Sequence, residues 1–345
     1  MARISSARIV VGACALLAST LAAPAAEIDP QLIARAQKEG QLTYYTDLIV
    51  EQVVRPLVAV FEKKYSIKVS FTRGDSQVNS VKVLNEYRAG RVQSDVFGLT
   101  SGFHVLVDAG AVRQFTTANG NELPPQYRDP NRYWVATHVY VMTPGLNTGL
   151  VPAAQRPKSY DDLLLPYWKD KMVWKPNDMS GATGFVGNVL TFMGEERGME
   201  YLRRLSKQNI KMVNASARAV LDQVIGGEYA ISLQIFNHHA AISAKKGAPV
   251  DWVRLNPSTV NPSMVALTRN SRNPNAGELF IEFLASPEGQ AIFQKADYLP
   301  ARADVPPTIP ELIPERGGFT PNVITPELQA KHLDHWDKVV AQLFR

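Results

Sequence analysis

The chain has 345 residues, a formal net charge of +5, 45% hydrophobic and 20% charged residues, and one cysteine. The mild positive excess is dispersed, which speaks against nucleic acid as a partner, since that needs a clustered basic face. A single cysteine rules out an internal disulfide framework, so stability must come from a packed core.

The chain opens "MARISSARIVVGACALLASTLAAPAAE": Arg3 and Arg8 precede an apolar stretch from Ile9 to Ala23, and the small residues Ala23-Pro24-Ala25 follow. That order is the layout of a cleavable secretory signal peptide, expected over residues 1–25 and directing the protein to the periplasm. The apolar part is shorter than the about 20 residues a membrane span needs, so no stable membrane insertion is expected. Cys14 leaves with this segment, as do the charges of Arg3 and Arg8. About 320 residues remain, room for two domains of about 150 each.

From Pro30 onward, short apolar runs alternate with segments of helical period. "QLTYYT" reads as a strand and "EQVVRPLVAVFEKKY" as an amphipathic helix. "IKVSFTR" is the next strand and "SQVNSVKVLNEYRAG" the next helix, closed by Gly90. "SDVFGLT" is a third strand, followed by "GFHVLVDAG". The stretch 132–145, "RYWVATHVYVMTPG", is β-prone with no helical partner. A second α/β series follows: "KMVWKP", one helix from "SGATGFVGNVLTFMGEERGMEYLRRL", "IKMVNA", a helix through "ARAVLDQVIGGE", "YAISLQIF", and a helix beginning near His238. "VDWVRL" and "SMVALTR" are further strands, and "AGELFIEFLASPEGQAIFQK" reads as one long helix. Proline crowds 305–326 before a terminal amphipathic helix. Such alternation builds α/β lobes whose mostly parallel sheets are flanked by helices. The expected organisation is a first lobe of 27–136 and 258–304 and a second of 137–257. Long strands near 132–145 and 250–268 cross between them, and 305–345 forms a loop and helix packing on the second lobe.

In an open parallel sheet, ligands bind beyond the carboxyl ends of the strands. In the first lobe those positions hold Tyr45, Thr46 and Asp47, then Arg73, Asp75 and Ser76, then Thr100 and Ser101. In the second they hold Ser180-Gly181-Ala182-Thr183, Asn214-Ala215-Ser216, and Asn237-His238-His239. Each helix start offers unpaired N–H groups and the positive end of a dipole. Several converging ends make an anion cradle, and "SGATG" is the strongest single loop for that role because its residues are small. Taken singly, each loop is equally an ordinary N-cap. Only one of Tyr44 and Tyr45 can face the cleft, and Tyr45 is favoured. Arg218, in a helix's first turn, opposes the dipole and so points to a nearby anion.

The segments "LTYYT…VSFTRGDS…LNEYRAGRVQSDVFGLTSG…VDAGAV", "RPKSYDDLL…WKDKMVWKPNDMSGATG" and "ARAVLDQVIGGEYAISLQ" resemble the extracellular substrate-binding proteins of ABC importers. The resemblance runs from about residue 38 to 305 and lies in the branch of ferric-iron-binding proteins and their phosphonate- and sugar-phosphate-binding relatives. It implies a two-lobed periplasmic binding protein of type II, with two crossing strands and hinge closure over a ligand. It also implies an ABC permease as partner, and no catalysis.

In ferric members of that branch a Tyr-Tyr pair supplies two phenolates where this chain has His238 and His239, while their histidine falls near Ile49 and their glutamate near Thr100 or Ser101. None of those ferric ligands is present on this mapping. Ferric iron is a hard cation that favours oxygen anions over neutral imidazole. The pair itself admits four readings: contact with an anionic ligand, plain structure, a divalent metal site, or catalysis. Adjacent helical histidines point about 100° apart and no third ligand follows at i+4. No G-x-S-x-G elbow supports a hydrolase. The position on the binding edge favours ligand contact. The expectation is a monomeric, cofactor-free binding protein for a small anion (a phosphonate, phosphorylated compound or carboxylate). A metal importer's binding protein using His238 and His239 is the alternative.

Overall fold

A computed structural model describes residues 27–344, so the expected signal peptide and Cys14 lie outside the described residues. Twelve strands form one mixed sheet: β1 (Gln41–Thr46), β2 (Lys68–Arg73), β3 (Val96–Leu99), β4 (Val112–Arg113), β5 (Val135–Asn147), β6 (Met172–Trp174), β7 (Lys211–Met212), β8 (Ile231–Phe236), β9 (Val250–Trp252), β10 (Ser258–Thr268), β11 (Leu299–Pro300) and β12 (Pro321–Val323). The main order is β2-β1-β3-β10-β5-β8-β6-β7. Within it β1 pairs in parallel with β2 and β3, and β6 pairs in parallel with β7 and β8. Between these parallel halves run β5 and β10, antiparallel to each other from Thr259 opposite Met142 to Val265 opposite Val135. These are the two crossing strands, and the architecture is that of two α/β lobes of the type II periplasmic binding fold.

Every residue of β5 except Tyr140, and all of β10, is buried, because both faces are covered. One core gathers Tyr44, Phe61, Phe280 and Phe283 in the first lobe, where Phe61 and Phe280 meet edge to face at 4.9 Å. The other gathers Trp168, Trp174, Phe185 and Trp336 in the second. Trp134, Trp174 and Trp252 are all buried packing residues.

Several elements are shorter than the hydrophobic pattern predicts. The helix expected from "SGATG" onward breaks at Gly194 (φ 79°) into Ala182–Met193 and Glu195–Leu205. The long helix near 276–295 breaks at Ser286, whose hydroxyl accepts the Gly289 N–H while Pro287 starts the second piece, Pro287–Lys295. Of the 250–268 stretch only β10 crosses; β9 is a separate strand on the edge of β5. Within "EQVVRPLVAVFEKKY" a π-helical turn over Val50–Val54 precedes the α-helix Arg55–Tyr65.

The terminal helix Pro326–Leu343 lies on Ala182–Met193, where Gly187 leaves room for Trp336: a Cβ there would sit 2.6 Å from the indole. Its first turn also reaches the first lobe, with Trp134 Nε1 donating to Glu327 at 3.3 Å and a contact with the helix Phe103–Asp108. The helix thus touches both lobes, not the second alone. His335 pairs with Glu195 at 2.9 Å, and His332 stacks on Trp336.

Candidate functional site

The carboxyl end of β1 turns sharply at Thr46, whose buried hydroxyl oxygen accepts the Leu48 N–H and whose carbonyl accepts the Gly74 N–H. That turn delivers Asp47 to the sheet edge. Its Oδ2 accepts the Ser76 hydroxyl at 2.5 Å and the Thr100 hydroxyl at 3.3 Å, while the Thr100 N–H donates to Ser76 Oγ at 2.9 Å. Oδ1 is shielded from solvent and has no partner. Burial raises the carboxyl pKa above its usual range, against the hydroxyl bonds and Arg73. Arg73 pairs loosely with Asp75 at 3.5 Å on the exposed rim, and Ser101 is half-buried beside Thr100.

On the second lobe, β8 passes directly into the helix Asn237–Lys245, so the asparagine and both histidines occupy its first turn. Asn237 and His238 are 2% and 3% exposed. Asn237 Nδ2, His238 Nε2 and His239 Nδ1 are shielded nitrogens without a hydrogen-bond partner. The His238 ring lies 4.3 Å from His239, 5.1 Å from Tyr298 and 5.8 Å from Tyr140. Tyr140 comes from the crossing strand β5, and His138, two residues earlier on the same face, meets it edge-on at 4.6 Å. His138 is wholly buried; its Nδ1 meets the Thr137 hydroxyl at 3.0 Å, and Nε2 has no partner.

These aromatic groups form one buried cluster where the crossing strand meets the helix Asn237–Lys245. Burial pushes His138 down to about 3. It pushes His239 down to about 4, with help from Arg218, and His238 well below the ordinary histidine value, with help from His239, His138 and Arg218. All three are neutral imidazoles at neutral pH, each with one N–H donor and one acceptor. Burial also raises the Tyr140 and Tyr298 phenols, with Tyr298 and the Asp47 charge adding to the effect on Tyr140 and the Asp47 charge adding to that on Tyr298. Among the described residues, no three His, Cys, Asp or Glu are placed to hold a metal ion.

Some expected site residues belong elsewhere. Tyr45 is buried under the helix Ser76–Arg88, its hydroxyl donating to Glu86 at 2.8 Å and its ring covered by Lys82 at 4.2 Å; it does not face the cleft. Tyr44 packs on Phe280, on the other face of β1. The "SGATG" loop is closed on itself: the Gly181 N–H donates to Asp178, the Ala182 N–H to Lys175 and the Gly184 N–H to Asp178. Ser180 donates its hydroxyl to Asp178 at 2.6 Å, and Thr183 donates to Asp337 of the terminal helix at 2.5 Å. A Cβ at Gly181 would strike the Asn177 and Lys175 carbonyls at 2.5 Å, so the glycine serves that closure and not a ligand. Arg218 is taken by the Asp222 carboxylate at 2.6 Å and by the Ser243 hydroxyl at 3.0 Å. The sequence pattern missed His138, Tyr140, Tyr298 and Asn261. The i, i+2 spacing of His138 and Tyr140 in a strand signals a shared face, whereas no local signal marks Tyr298.

The lobes and the crossing strands define a two-lobed protein of the type II periplasmic binding fold. The family model of the bacterial extracellular solute-binding proteins matches residues 95–317, and the chain belongs to that family. An Fe(3+)-binding periplasmic protein of Serratia marcescens is 26% identical over 295 residues, 81% of this chain and 85% of its own. The fold is shared with a Trichodesmium protein in complex with iron and citrate (TM-score 0.75, 19% identity, 88% of this chain and 99% of that one). It is shared also with a periplasmic binding protein of Actinobacillus pleuropneumoniae with fructose-6-phosphate bound (TM-score 0.69, 18% identity, 88% and 99%). No helix among the described residues is long and apolar enough to cross a membrane.

Proposed function

We propose that this chain is the periplasmic substrate-binding component of an ABC importer, exported by the signal peptide at 1–25. It takes a small anionic solute (a phosphonate, phosphorylated compound or carboxylate) between a lobe of 27–136 with 258–304 and a lobe of 137–257, and hands it to the permease. The observation that carries this reading is the trio of shielded, unpartnered nitrogens on Asn237, His238 and His239 at one helix start. Asn237 Nδ2 is a buried donor without a partner, and the tautomers that put the N–H on His238 Nε2 and His239 Nδ1 add two more, which an oxyanion at the positive end of the helix would satisfy.

Burial raises the Asp47 carboxyl pKa, which eases the repulsion that this group would otherwise impose on an anion. Ser76 and Thr100 fix that carboxyl, and Arg73 supplies a cation at the rim. Closure needs no chemistry, only contacts made from both lobes that favour the closed state over the open one.

One observation favours a second reading, a metal taken with a synergistic anion: the phenols of Tyr140 and Tyr298 share the cluster with His238. Phenolate oxygen suits a hard cation, and the Serratia relative is named for Fe(3+). A thermal-shift screen of the mature protein against phosphonates, sugar phosphates, carboxylates, ferric iron and zinc separates the two. Stabilisation by at least one anion without metal is expected, weakened in His238→Ala/His239→Ala. A response to metals alone would overturn the anion reading, and turnover of a phosphate ester would replace it with a hydrolase.

A further inference from the structure

The far end of the crossing strand carries a second feature that the cleft does not use. Met142 of β5 pairs with Phe236 at the cleft edge, whereas Leu146 pairs with Ile231 and Asp251 at the opposite edge. There, a pocket of about 180 Å³ is lined by Leu146, Pro157, Val253, Trp252 and the carboxylate of Asp251. Three cations line it: Arg156, Lys158 and Arg254.

Their charges are unequally compensated. Arg254 reaches both oxygens of Asp251, at 3.0 and 3.1 Å, and lies 4.2 Å over the Trp252 ring, so that carboxylate is consumed within the wall. Asp251 also accepts the Trp252 N–H at 2.8 Å. Arg156 has no carboxylate partner among the described residues, and its Nε is shielded from solvent with no acceptor. Among the described residues Lys158 makes no ion pair within 4 Å; its backbone N–H donates to Asp162, on whose carboxyl its charge acts at longer range. A guanidinium N–H withheld from water needs an acceptor, and oxyanions match its planar fork.

We propose that this pocket is a second, distal site for a small oxyanion, held by Arg156 and Lys158 and separate from the interlobe cleft. Its volume is below the roughly 300–1,000 Å³ of pockets for drug-sized ligands, which restricts it to a free inorganic oxyanion or a short carboxylate. Screening by salt would weaken binding at so open a site, so low ionic strength is the condition to use.

The test is calorimetry with inorganic phosphate and with succinate on the full mature chain, in wild type, Arg156→Gln/Lys158→Gln and His238→Ala/His239→Ala, each checked for an unchanged melting curve. At least one probe is expected to bind at this pocket in wild type and in the histidine variant. That binding should fall at least tenfold in the Arg156/Lys158 variant, and Arg156→Lys should recover only part of it, since the Nε donor is lost. A crystal soaked with the same probe should place an oxyanion against Arg156 Nε. The proposal fails if neither probe binds, if the Arg156/Lys158 variant binds as wild type does, or if the histidine variant loses all binding. It also fails if Arg156→Lys is indistinguishable from wild type.

Discussion

Gln329 of the terminal helix donates its side-chain amide to Asn261 of the crossing strand at 3.0 Å, and neither residue sees solvent. Asn261 in turn donates to the Thr100 carbonyl at 3.0 Å, and Thr100 holds Ser76 and Asp47. A continuous hydrogen-bonded line therefore joins the last helix to the cleft. Gln329→Leu should leave the Asn261 carbonyl buried and unpaired, costing about 1–3 kcal/mol. It should also weaken anion binding, because Thr100 loses its fixed position. Urea denaturation and ligand titration of the same variant would show both; wild-type affinity in a destabilised variant would limit Gln329 to a structural role.

The pH response of the cleft follows from Asp47. Its folded-state pKa is raised, so the native protein binds this proton more tightly than the unfolded chain does. The associated stability is present at acid pH and lost as pH rises through the raised value. An anion binds best while the carboxyl is protonated, so affinity should fall in the same direction. Asp47→Asn should flatten that fall while retaining binding at neutral pH. Affinity that rises with pH in wild type would contradict the assignment.

The histidines act in the opposite sense. His138 and His239 are held down to about 3 and about 4 from an ordinary 6.5, and His238 is lowered as well. A depressed base is neutral in the folded state while the unfolded chain takes up protons, so stability is full above pH 6.5 and is lost as pH falls toward 4. Each pKa unit corresponds to about 1.4 kcal/mol. His138→Phe should reduce the slope of stability against pH in that window, as read from denaturation midpoints in a series of acidic buffers. An unchanged slope would mean that His138 titrates normally.

Thr183 gives a test of opposite character. Its hydroxyl is bonded to Asp337 and not to the cleft. Thr183→Val should lower stability by about 1 kcal/mol, the usual worth of one hydrogen bond, and leave solute affinity unchanged. A tenfold loss of affinity without loss of stability would restore the "SGATG" loop as a ligand cradle.

The alternation of "QLTYYT", "IKVSFTR" and "YAISLQIF" with helical segments was enough to read two α/β lobes, because strand and helix periods differ and each run is bounded by small polar residues. The strand ends also pointed to Asp47, Ser76 and Thr100, which the structure brings together in one hydrogen-bonded group. The sequence pattern fails where the decisive partner is remote. Tyr45 is claimed by Glu86 and Lys82 on the helix that covers it, and Thr183 by Asp337 more than 100 residues away, at a separation of 154. Gly181 resembles an anion-loop glycine, yet it is small because its own loop's carbonyls crowd it. Tyr298 enters the cluster from a loop after Pro287–Lys295, and nothing near it in the chain announces that position.

The crossing strand β5 slips register twice: against β10 between Ser263 and Met264, where Thr137 is the extra residue, and against β8 between Thr143 and Gly145. His138 and Tyr140 lie on the short span between those two slips. A strand bends most easily where its ladder is already interrupted, so this span is where the crossing strand offers least resistance to flexing. Tyr140, whose ring packs on His238, rides on that span. A substitution there is therefore expected to change the rate of solute release together with affinity, a coupling that stopped-flow kinetics on Tyr140→Phe would read.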